Sequence, residues 1–420
     1  MRERIAHWLS LEQDEARGVF AGFGMFFLLF AGYFMLRPVR ETMGIAGGVR
    51  NLQWLFTGTF VATLAAMPLF GWIAGRVQRR HILYWVFGFF ALNLAGFAAC
   101  FQLWPDSVAI ARTFYIWLSV FNLVVISVAW SVLADVFTPA QAKRLFGLMA
   151  AGASLGGLVG PLLGVVLVVH VGHAGLLLLS SLLLGAAAWA AWHIQRWRDA
   201  HPLTAGAASE REKPLGGNPS AGAIYVLRSP YLLAIGAFIL LLASASTFLY
   251  FEQARLVQAS FPDRVRQTQV FGIIDSLVQT LAILSQLFVT GRLAKKLGVG
   301  VLLVAVPLVI AGGFLWLAFA PVFAVLAVVM VARRAGEYAL VRPGREMLYT
   351  VLPSEAKYKA KNFNDTVVYR GADALSGWVK TGVDLLAQQP MAAMLLGSIV
   401  ALLWAATGGA LARAYRKRDR

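Results

Sequence analysis

One cysteine, Cys100, is all that 420 residues contain, so no internal disulfide and no thiolate metal cluster can form. Charge is scarce too. Asp, Glu, Lys and Arg make up 14% of the chain, where a soluble protein carries about 25%. So little charge cannot cover a water-facing surface, which excludes a soluble globular enzyme and a disordered chain. The missing cysteines exclude a disulfide-stapled secreted scaffold. The six histidines show no metal-ligand spacing. A Walker-type phosphate loop, a Ser-His-Asp arrangement and an acid pair at glycosidase spacing are all missing from the sequence. Neither an enzyme nor an ATP-driven pump is expected, and no cofactor.

What fills the chain is apolar: 59% of residues are hydrophobic and the mean hydropathy is +0.69. A bilayer core of about 30 Å needs roughly 20 apolar residues per helix. That ruler predicts an all-α polytopic membrane protein with twelve spans, near 18–44, 52–74, 82–102, 108–136, 146–169, 174–195, 229–254, 267–290, 299–319, 321–349, 363–386 and 391–412. Basic residues crowd the side holding both termini, while Arg50, Arg112, Arg255, Arg264 and Arg266 stand on the other. By the positive-inside rule both termini are cytoplasmic. The net charge of +17 is therefore a topology signal and not a nucleic-acid footprint. No cleavable signal peptide is evident; residues 1–18 read as a polar cytoplasmic lead-in. Residues 196–228 are the one long polar stretch, a linker between halves 1–195 and 229–420.

The halves carry matching motifs at nearly equal offset. Gly75-Arg76-Val77-Gln78-Arg79-Arg80 answers to Gly291-Arg292-Leu293-Ala294-Lys295-Lys296, and Pro139-Ala140-Gln141-Ala142-Lys143 to Pro353-Ser354-Glu355-Ala356-Lys357. Parallel six-helix repeats resemble the plan of the major facilitator superfamily, which implies a binding site between the halves near mid-membrane. In the fifth span Gly152, Gly156, Gly160 and Gly164 recur every four residues beside Pro161. One face of small residues predicts close approach of another helix.

Ionisable groups inside spans mark function by default, because burial costs several kcal/mol unless they are paired. Arg37, Arg40 and Glu41 share the first span with Pro38; Arg333 and Arg334 lie near mid-depth of the tenth, which also carries Glu337; and Arg370 and Asp373 stand in the eleventh. Guanidinium stays charged when buried and grips phosphate or carboxylate bidentately. Arg37, Arg40, Arg333, Arg334 and Arg370 are thus the expected binding groups for a small anionic substrate, with Tyr33 one turn from Arg37. Glu41, Glu337 and Asp373 are their expected partners, and Asp135, Arg342, Arg345 and Glu346 are expected structural or gating charges. Asp275 is the one ionisable residue of its span. Burial favours a neutral carboxyl group, so it is the proton-coupling candidate. His170 and His173 read as part of a solvated outer turn.

Three stretches carry a family resemblance. They are Tyr33-Phe34-Met35-Leu36-Arg37-Pro38-Val39-Arg40-Glu41, then Trp130 followed by Gln141-Ala142-Lys143-Arg144-Leu145-Phe146-Gly147, and lastly the run from Glu355 to Asp365. In that order they resemble the bacterial and plastid ATP/ADP antiporters, the nucleotide transporter family, and their shorter bacterial relatives. The resemblance implies a nucleotide exchanger in which Arg40 stands at the transport-essential helix-1 lysine and contacts substrate phosphate. The sequence departs from the family at two positions: Leu118 stands where its helix-4 glutamate would align, and Asp373 near its helix-11 lysine. The expectation is a monomeric secondary transporter of the bacterial inner membrane, surrounded by lipid and working by alternating access. Proton-coupled transport of a carboxylate, siderophore-like or drug-like anion, and lipid transport, are the alternatives.

Overall fold

The computed structural model describes residues 15–74, 76, 79–201, 219–387 and 389–419. The expected polar lead-in before Glu15 and the linker core 202–218 lie outside them. Among the described residues every regular element is helical. The first four rods are α1 (Ala16–Ala46), α2 (Leu52–Ala74), α3 (Arg79–Leu103) and α4 (Val108–Val136). The run Pro139–Ala200 is broken by Gly172, at φ 64° and ψ −175°, into α5 (139–171) and α6 (173–200). A short helix, Pro219–Arg228, precedes α7 (Pro230–Ser260). Arg264–Ser285 passes through a π turn, Gln286–Thr290, into a run that Gly298 breaks at φ 73°, giving α8 (264–297) and α9 (299–319). The last rods are α10 (323–348), α11 (354–387) and α12 (Pro390–Asp419). Nine helical stretches among the described residues are long and apolar enough to cross a membrane, and one of them, Arg144–Ala200, has the length for two. With α10 and α11, whose spans carry the charges, this is consistent with twelve crossings.

Local chemistry sets the boundaries. The α5 start is a capping box: the Gln141 amide donates to Thr138 Oγ1 at 3.2 Å, and the Thr138 amide donates to Gln141 Oε1 at 3.1 Å, with Pro139 in the first turn. Ser107 and Ser229 cap α4 and α7 more simply, each hydroxyl accepting from the amide three residues on, Ile110 and Leu232. The breaks at Gly172 and Gly298 need glycine, because their backbone angles are closed to residues with a Cβ. Gly172→Ala is therefore expected to lower stability by about 1–3 kcal/mol, although its Cβ would meet nothing within 4 Å. Thermal unfolding of the purified variant checks this.

The chain divides into two compact units. One comprises Met1–Met43, Ala62–Gly216 and Arg264–Ser276; the other comprises Gly44–Val61, Gly217–Asp263 and Leu277–Arg420. The first unit is organised by the glycine stripe. A Cβ on Gly156 would fall on the Phe27 carbonyl oxygen and 2.9 Å from the Ala31 amide nitrogen, and one on Gly160 would lie 2.5 Å from the Ala31 carbonyl. α5 thus lies directly on the α1 backbone, as small residues in membrane helices permit. In the second unit Phe238, Phe314 and Trp404 fill a core of fully buried rings. Large apolar side chains such as Trp85, Leu92, Leu182 and Phe319 are mostly exposed, as on a lipid-facing surface.

Candidate functional site

Among the described residues, each unit brings expected site residues together. In the first unit α1 supplies Tyr33, Arg37, Arg40 and Glu41. Arg40 is held from three directions: Nη1 lies 3.1 Å from Glu41 Oε1, Nε donates to the Tyr115 carbonyl of α4 at 3.3 Å, and the guanidinium lies 4.0 Å from the centre of the Tyr115 ring. Arg37 is looser. Its Nε is 3.8 Å from Asp275 Oδ2 of α8, beyond hydrogen-bond length, and its side chain is 21% exposed while that of Asp275 is 4% exposed. Glu41 keeps one oxygen, Oε2, buried without a hydrogen bond. Tyr33 stacks on Phe121 of α4 with 6.2 Å between ring centres.

In the second unit α10 and α7 meet at Arg333. Its Nη1 donates to Glu337 Oε2 at 3.0 Å and to Ser246 Oγ at 2.8 Å, while its buried Nε makes no hydrogen bond. Arg334 beside it is equally buried. On α11, Arg370 Nη1 stands 3.6 Å from Asp373 Oδ2, and Asp373 Oδ1 accepts from Thr247 at 3.1 Å. Arg333, Glu337 and Ser246 thus share one contact network; Arg370, Asp373 and Thr247 share another. Glu337 opens a π turn, Glu337–Val341, and a second π turn, Asn364–Val368, precedes Tyr369 and Arg370. A buried donor without a partner asks for an explanation, and π turns recur at functional sites.

The expected gating charges fall at the end of α10 and the start of α11. Arg345 pairs with Asp365 at 3.1 Å, Lys361 with Glu346 at 2.7 Å, and Arg342 lies over the Tyr338 ring at 5.0 Å. Asp135 is the last residue but one of α4 and half-buried. His173 is not a solvated turn residue: its Nε2 lies 2.9 Å from Thr268 Oγ1, which is itself 2.7 Å from Thr42 Oγ1. The helix resumes immediately after Gly172 and carries the ring inward. Trp130 packs between Phe26 and Phe146, a core role. The side chain of Lys143 lies outside the described residues.

Two buried acids escaped the sequence reading. Glu252, fully buried on α7, pairs with Arg255. Glu15, 4% exposed, accepts from Arg144 at 2.8 Å and from Gln141 at 2.9 Å. The i, i+3 spacing of Glu252 and Arg255 was the available signal for the first. The capping-box residue Gln141 was the signal for the second.

Among solved structures, the chain is similar to a bacterial homologue of the human lysosomal transporter Spinster, in an inward-facing and unoccupied conformation (13% identity, 97% of this chain and 98% of that one, TM-score 0.63). It is also similar to an auto-inhibited peptide transporter of the POT family (17% identity, 94% and 97%, TM-score 0.64). A third similar structure is the human organic anion transporter TETRAN (17% identity, 94% and 100%, TM-score 0.58). No curated protein matches the chain by sequence. The profile of the Major Facilitator Superfamily matches residues 17–344. With its apolar helices and its buried arginines, the chain belongs to the Major Facilitator Superfamily: it is a multi-pass membrane transporter and not an enzyme.

Proposed function

We propose that this transporter exchanges phosphorylated organic anions, nucleotides foremost, across a bacterial inner membrane by alternating access, as a monomer with both termini cytoplasmic. The observation that carries the reading is the set of arginines in apolar spans, of which Arg37, Arg40, Arg333 and Arg370 each rest on a carboxylate, with Arg333 keeping a buried Nε unbonded. Arginine is the side chain suited to phosphate, being always charged and able to bind bidentately. Glu41, Glu337, Asp373 and Asp275 hold the guanidinium groups until substrate replaces them. Arg37, whose ion pair with Asp275 is long at 3.8 Å, is the group that exchanges partners; Arg40, held by Glu41 and Tyr115, is the anchor. A similar human structure being that of an organic anion transporter supports an anionic substrate, and the helix-1 resemblance supports phosphate.

Counterflow in proteoliposomes tests this. External ATP or ADP should accelerate efflux of preloaded labelled ADP, and Arg40→Ala and Arg37→Gln should each cut the rate by at least about tenfold, as lost charge-assisted hydrogen bonds do. Unaccelerated efflux with every nucleotide, beside uptake of citrate driven by a pH gradient, would overturn nucleotide exchange. That outcome would favour the second reading, which rests on the long Arg37–Asp275 pair: proton coupling at Asp275, abolished by Asp275→Asn.

A further inference from the structure

α9 and α12 pack side by side, and an open groove of about 760 Å³ runs between them. That volume falls within the roughly 300–1,000 Å³ of ligand sites. Its walls are apolar, with Val301, Val304 and Leu308 from α9 and Ala412 from α12. Glycines keep it open: a Cβ on Gly298 would meet nothing within 4 Å, and one on Gly409 only Val304 Cγ2 at 3.9 Å. Arg416, exposed on the last turns of α12, lines the end where α9 begins. Lys296, also exposed, stands two residues before Gly298 at that same end.

The length of the groove is informative. From Gly298 to Leu308 the helix rises about 15 Å, half of a hydrocarbon core of about 30 Å. The groove therefore has the depth of one leaflet, cationic at one end and apolar along the rest. A soluble phosphate compound would use the cations and leave the walls bare, whereas a phospholipid uses both. Among the described residues the lining shares no member with either arginine cluster.

We propose that this groove binds an anionic phospholipid of one leaflet, with an acyl chain along α9 and the phosphate at Arg416. The test follows thermal unfolding of the full-length protein in detergent while dioleoyl phosphatidylglycerol, dioleoyl phosphatidylcholine or glycerol phosphate is titrated in. Bound ligand raises apparent stability by mass action. Phosphatidylglycerol should stabilise most, and glycerol phosphate not at all. Arg416→Gln should raise the half-saturating concentration of phosphatidylglycerol about fivefold, the worth of one cation at an anionic surface. Arg418→Gln serves as the control, because Arg418 lies over the Tyr231 ring at 4.6 Å and not in the groove; it should leave the titration unchanged. Gly409→Leu fills the groove and should remove the shift. Equal stabilisation by both phospholipids, equal losses in Arg416→Gln and Arg418→Gln, or stabilisation by glycerol phosphate alone would each overturn the site. If Gly409→Leu does not fold, the Arg416 and Arg418 comparison decides.

Discussion

Gly156→Leu is expected to yield no folded, monodisperse protein. The Cβ of any larger residue there collides with the carbonyl of Phe27 and the amide of Ala31, both backbone atoms of α1. No rotamer change relieves a clash with backbone, so α1 and α5 have to separate along their length. Gly152 and Gly160 make the same contact one turn away on either side, which leaves no pivot about which α5 could tilt. Overpacking costs about 1–3 kcal/mol in a soluble core, and in a membrane close packing is itself a principal force between helices. Gly156→Ala should destabilise measurably. Gly24→Ala, whose Cβ would meet nothing within 4 Å, should be neutral or stabilising by up to about 1 kcal/mol, the helix-propensity gain of alanine. Fluorescence-detected size exclusion and thermal unfolding check the set. Equal behaviour of Gly156→Ala and Gly24→Ala would show that the stripe is not in backbone contact.

The second large effect concerns buried Arg333 and its half-buried partner Glu337. Removing Glu337 leaves the buried Arg333 charge without its carboxylate, at a cost of up to about 3–5 kcal/mol, and removing Arg333 leaves the half-buried Glu337 at a smaller one. Arg333→Met and Glu337→Met should each lose stability, and each should lose transport by at least about a hundredfold as an expected order of magnitude for a lost buried charge pair. The double variant separates the roles. Replacing both charges with apolar side chains of similar volume is often neutral or stabilising, so it should regain thermal stability while transport stays lost. Arg333→Lys keeps the charge without the planar fork, and should retain stability better than activity. A double variant that transports at the parent rate would make the pair structural.

The spans, the glycine stripe and the local charge pairs were legible because each depends on residues near in sequence or on composition over one bilayer width. Arg333 with Glu337 and Arg370 with Asp373 lie four and three residues apart, within reach on a helix; Glu41 stands four residues from Arg37 but pairs with its neighbour Arg40. The Arg37–Asp275 pair was not legible, because only the packing of α1 against α8 brings two distant residues together. Glu252 and Glu15 were missed for a related reason: both sit at the edge of an apolar run, where hydropathy marks a boundary and says nothing of burial. His173 was misread because a turn was expected where one glycine suffices. The π turns left no trace in hydropathy, since a change of hydrogen-bond register needs no change of composition.

Those π turns carry a consequence for the gene. In a π turn the chain holds one more residue than an α-helix of equal rise, and its carbonyls lose their usual partners. Here the surplus is absorbed between helices: Gln286 of the α8 turn donates to the Tyr338 carbonyl at 3.2 Å, and Thr290 to the Ala339 carbonyl at 2.7 Å, both in the α10 turn. A single in-frame codon gained in α10 would produce such a bulge, and a single codon lost would erase it. Homologues lacking the α10 turn should therefore align with a one-residue gap between Glu337 and Val341, and the same genes should have been released from keeping glutamine and threonine at the positions of Gln286 and Thr290.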